Sequence, residues 1–134
     1  MRRRSKIAVA ASVAAAATGA LGACGTQGIQ LANSDVNYHG ARLFLDHCSG
    51  CHSLDTVGAR GSAAKIRDRE RINGPNFNVR QEQMAQVLYA IRNGGFSGAI
   101  MPENIIVGAD AQAVAQFLAK YSGLKRPKAL TAHP

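Results

Sequence analysis

The sequence predicts an all-α domain with three main helices, and two observations support this fold class. Three stretches of the 134-residue chain place apolar side chains at i, i+3, i+4 and i+7, the spacing of one helix face. No convincing strand accompanies them, because the best β-branched run, at 105–107, lies between Asn104 and Gly108 and is too short. A chain of this length is enough for one small domain, which we place at residues 37–123.

The first helix is expected from Asn37 to about Cys48, and Asn37 can cap its start. Gly40 would allow another helix to approach closely, since glycine has no side chain. His39 on this helix and His133 near the C-terminus have no evident partner, so both are expected to face solvent. The apolar face of the helix consists of Ala41, Phe44, Leu45 and Cys48.

The second helix is expected from Arg80 to Asn93. Asn78 suits the N-cap, Gln81 follows it in an arrangement like a capping box, and Gly94 closes the helix. The apolar face consists of Met84, Val87, Leu88 and Ile91.

The third helix is expected from Asp110 to Ser122, with Asp110 as its N-cap and Gly123 as its stop. Beyond it, residues 124–134 form a short basic tail that shows no periodicity. The apolar face consists of Val114, Phe117, Leu118 and Tyr121.

Five consecutive residues, Cys48-Ser49-Gly50-Cys51-His52, form the attachment sequence of a c-type haem. The two thiols can add to the two haem vinyl groups, and the histidine can offer a ring nitrogen to the iron from one face. A surface disulfide, half of a zinc site and a thioredoxin-like redox pair are the alternatives. A zinc site needs two more Cys or His ligands at paired spacing, and the sequence shows none. Haem attachment is therefore the favoured interpretation.

The N-terminal residues 1–23 have the organisation of an export signal, with basic residues before an uncharged, Ala-rich stretch at 7–23. The stretch ends at Leu21-Gly22-Ala23-Cys24, which resembles the cleavage site of bacterial lipoproteins. Cys24 is therefore expected to become the lipidated first residue, followed by a tether at 24–36. An uncleaved membrane anchor and ordinary signal cleavage remain alternatives, although seventeen small apolar residues are marginal for crossing a bilayer. We expect an exported protein, anchored to the outer face of the cytoplasmic membrane or periplasmic.

The cysteine count and the charge agree with export. Two thiols are assigned to haem and one to lipid, so none of the three cysteines is left over. The leader carries four of the 16 basic residues and none of the 8 acidic ones. The remaining chain has 12 basic residues against 8 acidic ones, a net charge of +4. This charge is far below that of a nucleic-acid-binding domain, so we expect no nucleic-acid partner.

The order of these motifs resembles that of class I monohaem cytochromes c of the bacterial kind, over nearly all of 37–123. The resemblance implies a cytochrome c-like fold, with the three main helices packed around a covalent haem. Phe77 replaces the usual aliphatic residue of the family's Gly-Pro-x-Leu and would keep an apolar side chain over the haem. The matching motifs are the helix with Gly40 and Phe44, the haem-attachment sequence, Gly74-Pro75-Asn76-Phe77, Ile91-Arg92-Asn93-Gly94, Met101-Pro102 and Val114-Ala115-Gln116-Phe117-Leu118.

The resemblance also implies roles for individual residues. Cys48 and Cys51 would hold one covalent haem c by thioether bonds, and His52 would be the proximal axial ligand of its iron. The backbone carbonyl of Pro75 would accept a hydrogen bond from the His52 ring and so orient the ring. Met101 would be the distal iron ligand, and its thioether would raise the reduction potential.

Met101 precedes a proline, which pushes its backbone towards an extended shape and limits its movement. Gly94, Gly95 and Gly98 would let this loop fold around the haem edge. Met84 is the competing thioether, but its place on a helical face is more typical of a core methionine.

The function implied is one-electron transfer by a membrane-tethered haem protein rather than catalysis, with respiratory proteins as donor and acceptor. Both axial positions of the iron would be filled, so no open site would remain for chemistry. The alternatives are a haem enzyme or gas-binding sensor in which the Met101 ligand is labile or absent, and an electron-input subunit fixed to a larger oxidase or dehydrogenase.

The stretch 60–71 is rich in charge, with five basic residues against two acidic ones. It could be a docking patch for an acidic redox partner, because charge steers the encounter of proteins. It could also be a solvated loop or a short helix with paired charges. The sequence favours the second interpretation, since charge runs usually face water.

Overall fold

The computed structural model describes residues 28–96 and 100–125, with the side chain of Ile66 excepted. The three predicted helices are confirmed: α1 spans Tyr38–His47, α2 spans Met84–Asn93 and α3 spans Gly108–Tyr121. The all-α fold class is therefore confirmed. The expectations for the leader, Cys24, Gly98 and His133 concern residues outside the described ones. None of the helices in the described part of the chain has the length and apolar composition that crossing a bilayer requires.

Helices α1 and α3 cross and pack against each other, and α2 also packs on α3. A Cβ atom added at Gly40 would lie 2.2 Å from the carbonyl oxygen of Ala113, so only glycine fits there. Phe44 and Phe117 meet at this crossing with ring centroids 5.9 Å apart, and both are fully buried. The prediction of a close helix approach at Gly40 is confirmed.

The helix starts differ from the sequence expectations. Asn37 makes no capping bond, because its side-chain amide donates to Asp35. The second helix begins later than predicted, after Gln83, whose side chain forms a capping box with Gln86. Asn78 therefore does not cap it. The side-chain oxygen of Asn78 accepts a hydrogen bond from the backbone N–H of Asp55 instead.

The third helix begins two residues before its predicted cap, Asp110. The Asp110 carboxylate lies 2.9 Å from Nε2 of His39, so this pair links the first turns of α1 and α3. The expectation that His39 has no partner was wrong, because the pairing depends on how the two helices cross.

A short β-hairpin follows α1, and the expectation of no strand was wrong here. Strand β1, Ser53–Leu54, pairs antiparallel with β2, Ala59–Arg60. A single 3-10 turn joins them and ends at Gly58, whose φ of 68° favours glycine. The hydroxyl oxygens of Ser53 and Ser62 each accept from the other residue's backbone N–H at 2.9 Å, which closes the base of the hairpin.

Candidate functional site

The two cysteines lie on a turn that continues directly from the end of α1. The backbone N–H of Cys48 donates to Phe44, and the N–H groups of Cys51 and His52 both donate to the carbonyl of Cys48. Helix-like hydrogen bonding therefore brings the cysteines and the histidine together within one tight turn. Cys48 is half-buried and Cys51 is exposed.

The Cys48 sulfur does not have the properties of a reactive thiolate. Cys48 and Cys51 are free and form no disulfide. Burial raises the pKa of the Cys48 thiol to about 12, and the neighbouring Cys51 adds to the shift. Zinc ligation and thiol exchange both need a thiolate, whereas a thioether sulfur is neutral and tolerates burial. Among the residues that the structure describes, no group of three or more His, Cys, Asp or Glu side chains could hold a metal ion.

His52 is held in one orientation by the segment that carries Gly74-Pro75-Asn76-Phe77. Its Nδ1 atom lies 3.1 Å from the backbone carbonyl oxygen of Pro75. Because a carbonyl only accepts, Nδ1 carries the proton and Nε2 keeps its lone pair. Burial lowers the pKa of His52, and the bond to Pro75 opposes this shift only in part. The imidazole is therefore neutral at physiological pH, the state in which it can bind a metal.

Two neighbours fix the position of the His52 ring. The Phe77 ring stacks on it, with centroids 4.6 Å apart and an interplanar angle of 9°. On another side, a Cβ atom added at Gly74 would lie 2.4 Å from the ring, so Gly74 leaves just enough room. Gly74 also donates its N–H to the carbonyl of Cys51 at 2.7 Å. The sequence suggested an apolar role for Phe77 but not this stacking, because no local signal indicates which ring it contacts.

Residues 61 and 73 were missed by the sequence analysis. A Cβ atom added at Gly61 would lie 2.5 Å from the backbone of Ser49 and Gly50, and Gly61 donates its N–H to His52. The Asn73 side chain donates to the carbonyl of Gly61 at 3.0 Å. These contacts join residues nine or more positions apart, so no local pattern around Gly61 or Asn73 indicates them.

Met101 lies on the segment that follows α2. Its side chain is partly buried and packs against the same core as Cys48. Gly94, with φ of 70°, ends α2, and a Cβ atom there would lie 2.9 Å from the Met101 carbonyl oxygen. The N–H of Asn104 donates to the carbonyl of Ile91 at 2.7 Å. The segment after α2 thus folds back over the end of that helix. Met84 is also partly buried against the core, at the first residue of α2.

The model of one protein family, described as "Cytochrome c", matches residues 38–122 of the chain. The chain belongs to the cytochrome c family. Among solved structures, this cytochrome is similar to the c-type cytochrome SorU from Sinorhizobium meliloti, with a TM-score of 0.52 and 26% sequence identity. The alignment covers 66% of this chain and 93% of SorU. No protein among the curated ones searched matches the chain.

Membership of this family shows that the protein binds haem c covalently and transfers electrons. The residues present fit that group: two cysteine side chains that form no disulfide, at the spacing of the haem-attachment sequence, and beside them an imidazole whose Nδ1 faces the Pro75 carbonyl and leaves Nε2 to bind iron. When bound, the haem iron supplies the one-electron couple. The polypeptide supplies the attachment turn, the orientation of His52 and the apolar surroundings.

Proposed function

We propose that this cytochrome is a one-electron carrier, and not an enzyme, held outside the cytoplasm by lipid on Cys24 and exchanging electrons with respiratory donor and acceptor proteins. In this proposal Cys48 and Cys51 form the thioether bonds, and His52 and Met101 are the axial iron ligands. The observation that carries it is the bond between Nδ1 of His52 and the carbonyl of Pro75. That bond leaves the lone pair of Nε2 to coordinate the iron, and it raises the basicity of Nε2 as a metal ligand.

The identification of Met101 as the second ligand rests on its chemistry and on its backbone. A thioether is a soft, neutral donor, which stabilises the reduced iron and raises the potential. Pro102 restricts Met101 to an extended backbone, and the bond from Asn104 to α2 anchors the segment. Met84 serves as the matched control, because it is a thioether in a similar state of burial at the start of α2.

A haem stain and a visible spectrum test the axial ligands. Wild-type protein matured in a haem-attaching host should retain haem on a denaturing gel and show the far-red absorbance band of oxidised iron bound to methionine. Met101→Ala should abolish that band, and Met84→Ala should keep it, because only one of the two sulfurs binds the iron. Loss of the band in Met84→Ala instead would reassign the ligand. Immediate carbon monoxide binding by the reduced wild-type protein would favour the sensor or enzyme alternative.

The tether has a test of its own. The leader sequence and the cysteine that ends it support lipidation of Cys24. Wild-type protein should fractionate with membranes and carry the mass of acyl groups, whereas Cys24→Ser should be released or remain uncleaved. A mature wild-type protein that begins after ordinary cleavage and has no added lipid would overturn the tether while leaving electron transfer intact.

A further inference from the structure

The chain that precedes α1 is fixed to the β-hairpin. The backbone N–H of Gln30 donates to the carbonyl of Thr56, in the 3-10 turn of the hairpin, at 2.8 Å. On either side of Gln30, the side chains of Ile29 and Leu31 are partly buried against the core. The N-terminal segment therefore has a defined place of entry into the domain, which is the hairpin turn.

The proposed lipid on Cys24 is only a short stretch of chain away from this entry. Cys24 is four positions before Gly28, the first residue that the structure describes. Four residues of fully extended chain span at most about 14 Å, and the radius of gyration of a domain of about 100 residues is about 13 Å. Such a connection is too short for the side opposite the hairpin to reach a bilayer, so the hairpin side is the one that faces the lipid.

The C-terminal end of the domain leaves from the same place. Lys125 donates its backbone N–H to the carbonyl of Asn78 at 2.8 Å, and its ammonium group pairs with the Asp55 carboxylate. Asp55 directly precedes Thr56, and its own N–H donates to the Asn78 side chain at 2.8 Å. The basic tail therefore begins beside the turn at which the N-terminal segment enters.

Positive charge dominates this part of the surface, residues 55–60 with 124–125, which we name the exit surface. Its exposed side chains Arg60 and Lys125 both pair with its one acidic residue, Asp55. The tail that continues from Lys125 has two more basic residues and no acidic one, so four basic residues stand against one acidic residue, a net charge of +3. The four basic residues are Arg60, Lys125, Arg126 and Lys128.

The composition of the exit surface suits anionic lipid. Clusters of four or more Lys and Arg next to a membrane anchor are the pattern that binds anionic headgroups. Leu124, 69% exposed beside Lys125, adds an apolar side chain of the kind that enters the boundary between headgroups and acyl chains. Lipid fits better than an acidic protein, because the short connection to Cys24 brings the bilayer to this surface.

We propose that the exit surface, together with the basic tail, binds the phosphates of anionic lipid headgroups and so fixes which side of the domain lies on the membrane. This inference rests on the proposed lipidation of Cys24. A lipid on Cys24 holds the protein near the bilayer but leaves the domain free to tilt about one point. A second contact at the exit surface removes that freedom, because both ends of the domain are then held on the same side.

The test measures which lysines the membrane covers. Lipidated holoprotein is reconstituted in vesicles of phosphatidylglycerol, which is anionic, or of phosphatidylcholine, which has no net charge, and treated briefly with an amine-acetylating reagent. Mass spectrometry of peptides gives the acetylation rate of each lysine. Lys125 and Lys128 should react about fivefold more slowly on phosphatidylglycerol, and about 1 M salt should remove this difference. Lys65, an exposed lysine after the hairpin, should react equally on both.

Two variants with the same loss of charge locate the effect. R126Q/K128Q removes two charges from the basic tail and leaves the pair of Lys125 with Asp55 intact. R69Q/R71Q removes two exposed charges from the segment after the hairpin. The protection of Lys125 on phosphatidylglycerol should be largely lost in R126Q/K128Q and kept in R69Q/R71Q. Equal loss in both variants would mean that net charge alone governs the contact, and would overturn the role of the exit surface.

The wild-type measurement decides the inference without any variant. Wild-type protein that carries acyl groups but shows no protection of Lys125 and Lys128 would overturn the orientation and leave the tether intact. Protection of Lys65 as strong as that of Lys125 would also overturn it, because the bilayer would then cover more than one side. Wild-type protein without the mass of acyl groups would overturn the tether itself, and this inference with it.

Discussion

The crossing of α1 and α3 and the haem-attachment turn are both tightly packed, but they are held by different interactions. At the crossing, contact is made by buried side chains such as Phe44 and Phe117, and by the backbone of Gly40 against Ala113. At the turn, contact is made by backbone hydrogen bonds from Gly61 and Gly74. Stability of the fold therefore depends on the crossing, whereas the position of His52 depends on the turn and its neighbours.

The largest effect is expected for Gly40→Ala. The added Cβ would lie 2.2 Å from a backbone oxygen of α3, which cannot rotate away, so the helices must separate. Overpacking of this kind costs up to about 3 kcal/mol, and the better helix propensity of alanine offsets about 1 kcal/mol of it. We expect a net loss of about 2 kcal/mol in the free energy of unfolding, measured by chemical denaturation.

Gly50→Ala is the matched control, because a Cβ at Gly50 meets nothing within 4 Å although the residue lies on the haem-attachment turn. Its free energy of unfolding should stay within about 0.5 kcal/mol of wild type. Equal destabilisation of the two variants would show that the crossing is not the tighter of the two regions.

A smaller change in stability, but a larger change at the iron, is expected for Gly74→Ala. The new Cβ would collide with the His52 ring and move it away from the Pro75 carbonyl. Loss of such a supporting bond typically weakens a metal ligand 10- to 100-fold. Since one proton competes with iron for Nε2, the pH at which acid displaces His52 should rise by about 1–2 units. Visible spectra recorded during acid titration measure this midpoint, and an unchanged midpoint would contradict the positioning role of Gly74.

The smallest effect concerns the start of α1, and it is measured as the change of stability with pH in acid. Hydrogen bonds from Asn37 and from the Tyr121 hydroxyl lower the pKa of Asp35 from 3.8 to about 2. Because this pKa is lowered by folding, the stabilisation is present above pH 3.8 and is lost as the pH falls towards 2. We expect Asp35→Asn to weaken the dependence of stability on pH in that window.

Asp46→Asn is the control for this acid experiment, since Asp46 is an exposed carboxylate on α1. If both variants show the same weakened dependence, the effect comes from the overall charge rather than from the bond between Asp35 and Tyr121.

The sequence predicted those parts of the structure that local patterns determine. The three helices follow from the spacing of apolar residues, and the close approach at Gly40 follows from the absence of a side chain. The predicted start of α2 was wrong because the Asn78 side chain does not cap a helix. Its oxygen accepts a hydrogen bond from the backbone N–H of Asp55, 23 residues earlier. A helix cap predicted from residue type is wrong when the side chain forms its hydrogen bond with a distant part of the fold instead of with the helix start.

The remaining errors also involve contacts between distant segments. The pair of His39 and Asp110 spans 71 positions, so nothing near His39 in the sequence indicates it. For the candidate site, the haem-attachment sequence and Pro75 could be singled out from motif order. The stacking of Phe77 on His52 and the anchoring role of Gly61 could not, because they depend on how the loops fold over the turn.

The bond between Tyr121 and Asp35 joins the last residue of α3 to the segment that enters α1. A force pulling on the residues before Asp35 is therefore shared with α3 before it can unwind α1. The hairpin shares that tension, because the backbone N–H of Gln30 donates to the carbonyl of Thr56 in its turn at 2.8 Å. A domain pulled from its N-terminal side would therefore load the hydrogen bonds of Gln30 and Asp35 before it loads α1.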